Sequence, residues 1–196
     1  DMTLQFFLLP FLEQFHKEYP RIKVTVTNAP TPETIRSLEE GKIDFGVVTT
    51  PFSCQSAIHQ MPVKSIETVF IAGNSFSELM GKKLEYDTLG SLPCIFLEKN
   101  TSTRAFMDQF LKEKGIELTP EFELATSDMI VQFAKRNMGV GCVMDGFAKD
   151  AIDRGEVFEL DFKEKMPHRH ICVVTGEDSL ISLAGRKLLG LFAEII

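Results

Sequence analysis

Hydroxyl residues recur in this sequence just after apolar runs or at the starts of helix-like segments: Thr3, Thr49, Thr50, Thr101, Ser102, Thr103, Thr126 and Ser127. A helix N-terminus offers unpaired N–H groups and about half a positive charge, so such places can hold the carboxylate of a small acid or an amino acid. Each position alone reads as a plain N-cap, for which Ser and Thr are favoured. The set says more than its members, because the same end of successive strands is involved. In open α/β sheets, ligands collect beyond the carboxyl ends of strands. Asp1, Asp128 and Asp145 lie in these same loops, where their charges oppose a strongly anionic ligand and favour a small or zwitterionic one. Arg104 opens one of the helices; it has two readings, a partner for a ligand carboxylate and a surface ion pair, and the second is favoured.

Other chemistries find no support. There is no G-x-S-x-G elbow, phosphate loop or H-E-x-x-H helix, and no acid–base pair or nucleophile constellation can be assembled, so no catalytic residue and no cofactor is expected. His168 and His170 share a strand face but have only Arg169 between them, which is no metal site. His16 and His59 read as surface or core-edge residues. Cys94, Cys142 and Cys172 sit in apolar runs without a C-x-x-C pair, as small buried hydrophobes of a reduced, cytosolic protein do; Cys54, in a loop, is the one candidate for redox chemistry. A net charge of −7 and a pI near 5.2 argue against nucleic-acid binding by these residues. No run approaches the roughly 18 apolar residues of a membrane span.

The elements that would position the hydroxyls alternate between strand and helix. Gly41 to Pro51 holds the clearest strand, Ile43 to Val48, an apolar run with one charge of the kind that lies between helix layers. Asp1 to Pro20 reads as a helix with more apolar residues than one stripe, Leu4, Phe6, Phe7, Leu8, Leu9, Phe11, Leu12 and Phe15, to be wrapped by its own lobe or covered by a second subunit. Ile22 to Thr27 alternates like a strand with one dry face. Ser53 to Gln60 reads as loop and Ile66 to Ala72 as strand, broken by Gly73-Asn74-Ser75. Further strands are expected at 92–97, 122–125, 140–144, 157–162 and 168–175, with helices after Thr101, after Thr126 and from Asp145, and a last one from Ser179 to Phe192 striped by Leu180, Leu183, Leu188 and Leu191. Strands alternating with helices imply parallel α/β sheets, and the break at Gly73 suggests two of them.

Several of these stretches carry a resemblance. Leu8-Leu9-Pro10-Phe11-Leu12-Glu13-Gln14-Phe15, Tyr19-Pro20, Gly41 to Pro51, Ser127 to Phe133, Gly139-Val140-Gly141 and Leu180 to Phe192 together resemble the effector-binding domain of LysR-type transcriptional regulators. The resemblance implies two Rossmann-like lobes of the type II periplasmic-binding-protein kind, with mostly parallel sheets and a ligand cleft between them. It implies that the chain returns to the first lobe at its end, so that lobe I is 1–73 plus 172–196 and lobe II is 74–171. It also implies a strand ahead of the first helix, in the middle of lobe I; this chain begins at Asp1, at or after that strand's expected end.

On this reading the chain senses a small-molecule effector and is not an enzyme. DNA is reached only through an amino-terminal domain that these residues do not include. A homodimer is expected, with a tetramer open to the full-length protein, in the cytoplasm and with no membrane partner. A free-standing periplasmic-type solute-binding protein is the alternative. The cleft is expected to be lined by Thr3, Thr49, Pro51, Thr101, Ser102, Thr103, Thr126, Ser127 and Met144, with the resemblance placing effector contacts at the loops of Thr3, Thr101 and Thr126.

Overall fold

The computed structural model describes residues 3–177 and 181–193. In chain order the elements are α1 (Leu9–Glu18), α2 (Thr31–Glu39), β1 (Gly46–Thr49), β2 (Ile58–Ile66), β3 (Thr68–Gly73), β4 (Lys83–Leu84), β5 (Cys94–Leu97), α3 (Ser102–Glu113), β6 (Phe122–Leu124), α4 (Ser127–Lys135), β7 (Val140–Met144), α5 (Asp145–Asp153), β8 (Val157–Glu159), β9 (Asp161–Phe162), β10 (Arg169–Gly176) and α6 (Leu183–Ala193). They form two compact units, Asp1–Ser65 with Arg169–Ile196, and Ile66–His168. The break at Gly73 therefore lies inside the second unit. The reason is pairing: β3 is hydrogen-bonded to both β7 and β8 of the second sheet, so the chain changes unit before that strand rather than after it. Asp1, Ser179 and Leu180 lie outside the described residues.

In the first unit, a π-helical stretch over Leu4–Leu8 runs straight into α1. Pro10 sits where the π-helical stretch gives way to α1, as the second residue of the α-helical part. Phe7, Phe11 and Phe15 turn inward, and Phe11 meets Phe192 of α6 edge-on at 4.8 Å. The apolar excess of this helix is thus largely covered by its own unit, although Leu9 is 56% exposed. In α6 the stripe holds at Leu188 and Leu191, which are buried, but Leu183 points outward.

The sheet of this unit has the order β1-β10-β2, with β1 antiparallel to β10. Strand β2 takes in residues expected as loop. Pro62 and the polar residues around it hide the strand in the sequence, and an edge position tolerates a residue that donates no ladder hydrogen bond. The strand expected over Ile22 to Thr27 is absent. Those residues keep their alternation but have no ladder partner, and Val24 and Val26 are 42% and 45% exposed. Among the described residues no strand pairs with the second edge of β1 either. A groove of about 570 Å³ is lined by both segments, with Leu12, Phe15 and Leu188 among its walls.

The second unit holds a five-stranded sheet of order β6-β5-β7-β3-β8 and a parallel pair, β4 with β9. Strands β5, β6 and β7 run parallel, whereas β3 runs antiparallel to β7 and to β8. One face is packed by an aromatic cluster in which Tyr86 stacks on Phe162 at 4.2 Å and Phe70 meets Phe162 at 5.4 Å. Helix α4 covers β7 through Ile130, which is fully buried, while Met138 lies beyond the helix end and is exposed. Gly141 makes this approach possible, because a Cβ there would stand 2.4 Å from Ile130 Cγ2.

Two outcomes follow from this packing. Gly141→Ala should destabilise the second unit by about 1–3 kcal/mol, the usual cost of overpacking, as read by denaturant unfolding. Cys54 is exposed while Cys94, Cys142 and Cys172 are buried, and burial pushes the Cys94 thiol up to about 12. A thiol-reactive probe should therefore label Cys54 alone in the folded chain, and the other three only on unfolding.

Candidate functional site

Parallel pairing decides where the hydroxyl residues go. Because β6, β5 and β7 are neighbours and run the same way, their carboxyl ends lie along one edge of the sheet. Each is followed within a few residues by a helix: α3 after β5, α4 after β6, α5 after β7. Three helix N-termini are thereby brought to the same edge. Strand β3 runs the other way, so its start also lies there; Thr68 is paired with Met144, and the Asp145 N–H donates to the Glu67 carbonyl at 3.1 Å.

The expected residues of the second unit collect on this edge, in different states. Thr101 is the N-cap of α3: its hydroxyl accepts from the Arg104 N–H at 3.3 Å and donates to the Glu98 carbonyl at 3.0 Å. Ser102 is half-buried and Thr103 is 3% exposed. Thr126 is the N-cap of α4 by backbone geometry, yet its side chain makes no cap hydrogen bond. Ser127 is 7% exposed and Met144 2%. Met144, not Asp145, occupies the N-cap of α5, which leaves the Asp145 carboxylate in the first helical turn and exposed.

Acidic groups gather at the same edge. Asp128 and Asp145 stand in the first turns of α4 and α5. Glu67 lies 3.9 Å from Lys165 and 3.7 Å from His168. The Glu159 carboxyl is raised above its ordinary value, first by partial loss of solvent and then by Glu67, Asp161 and Asp145, while Lys165 opposes the shift. Carboxylates thus crowd the Asp145 side, with Lys165 and His168 beside Glu67, and the α3 side offers hydroxyls and helix N–H groups.

Thr3, Thr49 and Pro51 belong to the first unit. Thr49 ends β1 opposite Ile171 and is 2% exposed. Thr50 anchors the next turn: its N–H donates to the His170 carbonyl and its hydroxyl accepts from the His170 N–H, each at 2.9 Å. Pro51 follows through a cis peptide bond and is exposed. Thr3 lines the groove beside residues 22–27, whereas Thr49 and Pro51 do not.

Two cations differ from their sequence reading. Arg104 is in ion pairs, as favoured, but its own side chain is 3% exposed and so not at the surface. Its Nε donates to both carboxylate oxygens of Asp108 at 2.9 Å, and its Nη1 donates to the Leu97 carbonyl and to Glu123 Oε1, each also at 2.9 Å. Arg169, which in the sequence reads only as a spacer between two histidines, is 1% exposed at the start of β10. The signal that could have found it is a charge placed at the head of an otherwise apolar strand. Among the described residues no group of three or more His, Cys, Asp or Glu side chains could hold a metal ion, and no helix is long and apolar enough to cross a membrane.

This arrangement agrees with what the chain is similar to. The regulatory domain of CcmR from Synechocystis PCC6803, solved in complex with 2-PG, superposes with a TM-score of 0.87 over 98% of this chain and 92% of that one, at 19% identity. The effector-binding domain of QuiR, solved with shikimate, gives 0.82 over 98% and 91%, at 14% identity. In sequence, the uncharacterized HTH-type transcriptional regulator YeiE of Escherichia coli is 20% identical over 159 residues, 81% of this chain and 54% of that protein. The chain thus spans about half the length of the curated relatives it matches. Residues 1–195 match the LysR substrate binding domain, so the chain belongs to that family.

Proposed function

We propose that the effector is a small molecule held at the edge formed by the N-termini of α3, α4 and α5. The observation that carries this reading is the convergence of three helix starts on one sheet edge, two of them, α3 and α4, with hydroxyl residues at the start. Ser102, Thr103, Thr126, Ser127 and the N–H groups behind them suit a carboxylate, and Met144 gives the site an apolar wall. Asp128, Asp145, Glu67 and Glu159 favour a zwitterion or a neutral molecule over a dianion. The 2-PG and shikimate of the two solved relatives support a small polar ligand.

The domain acts by binding and not by catalysis, within a cytoplasmic regulator whose DNA contacts come from its amino-terminal part. A homodimer is the working assembly, and the outward Leu9 of α1 is available to it. Regulation follows from differential affinity: the effector can shift the balance between two arrangements only by as much as it prefers one of them.

A thermal-shift screen of small metabolites identifies the effector, since a ligand at about 100 times its dissociation constant adds roughly 2.7 kcal/mol. Thr126→Val should then weaken binding by about 1–3 kcal/mol, the cost of losing a partner in a buried site, with little change in stability. Thr101→Val should weaken binding too, but it also removes the α3 cap and should cost about 1 kcal/mol of stability on its own. If titration calorimetry shows both variants binding like the parent, the site lies elsewhere.

A further inference from the structure

We propose that Arg104 is a positioning residue for the loop that presents Thr101, Ser102 and Thr103, an inference that rests on reading this edge as the effector site. The guanidinium ties together three parts of the unit. It holds the last carbonyl of β5 through Leu97, the neighbouring strand β6 through Glu123, and its own helix through Asp108. Its Cζ lies 5.4 Å above the Phe96 ring, which fixes the plane of the fork. Its backbone N–H donates to the Thr101 hydroxyl, and that hydroxyl donates to the Glu98 carbonyl. The Glu98 N–H in turn donates to the Leu124 carbonyl at 3.1 Å. The exposed turn Glu98–Asn100 is therefore held at its start by the guanidinium, through the Leu97 carbonyl, and at its end by the backbone N–H of the same residue, through the Thr101 hydroxyl.

Two carboxylates face this one cation, so Arg104 adds no net positive charge for a ligand to feel. Its contribution is geometric. A lysine has one point of charge in place of a planar fork and cannot reach the carbonyl, Asp108 and Glu123 in the same plane. Arg104→Lys should loosen the loop while leaving the sheet intact.

The test combines amide hydrogen exchange with acetate and glycine as carboxylate probes, followed through the backbone amide shifts of the isotope-labelled chain. In Arg104→Lys, exchange at Lys99 to Thr103 should rise about tenfold or more with Ile71 and Val143 unchanged, a local opening and not a global one. The acetate response should weaken at least about tenfold at Ser102 and Thr103 but persist at Ser127, because a loosened contact loses affinity steeply. Glu123→Gln, which keeps the guanidinium and removes one charge-assisted bond, should give the same pattern at smaller amplitude and serves if the lysine variant does not fold. Loop exchange equal to the parent's, or acceleration spread evenly over the second unit, overturns the proposal. A parent chain that answers neither probe at α3 nor at α4 instead overturns the reading of the edge as the effector site, while the exchange data still decide whether Arg104 holds the loop.

Discussion

The parallel pairing of β6, β5 and β7 is the constraint from which the rest of the second unit follows. Strands that run the same way must end on the same side, and the chain leaving each must cross back over a face of the sheet. Helices make those crossings, so their N-termini are delivered to one edge regardless of what the loops contain. The loops then need only short polar residues to turn the edge into a place where backbone N–H groups face outward. Strand β3, entering in the opposite sense, brings Glu67 and Thr68 to the same place and closes its far side.

That geometry separates two kinds of residue which look alike in composition. Thr101 and Thr126 occupy equivalent positions, yet the first is bound into the fold by two hydrogen bonds and the second is not capped through its side chain. Arg104 and Lys165 are both cations beside this edge, but the first is buried behind it and the second remains at its surface near Glu67. Residues tied into the fold and residues left open at the edge are thus interleaved within a single turn of helix.

Helix starts after Thr101 and after Thr126 are legible in the amino-acid sequence, because a polar cap ahead of an apolar stripe is a local signal, and an acidic residue in the first turn marks α5 at Asp145. Pairing is not local, and the differences between expectation and fold lie there. Ile22 to Thr27 alternates like a strand but has no partner to make it one, while β2 lacks clean alternation and becomes a strand because β10 lies beside it. The boundary between units differs by a few residues for the same reason, since the ladders to β7 and β8 assign β3 to the second sheet. Arg104 is visible in the sequence as a charge at a helix start. Whether such a side chain turns outward or folds back beneath a neighbouring strand depends on Glu123, nineteen residues away.

The net charge of −7 bears on how the domain behaves in concentrated solution, because every copy repels every other. That repulsion acts through space and weakens as salt shortens its reach to about 10 Å at 0.1 M. Colloidal stability of this domain should therefore depend on ionic strength far more than its folding does.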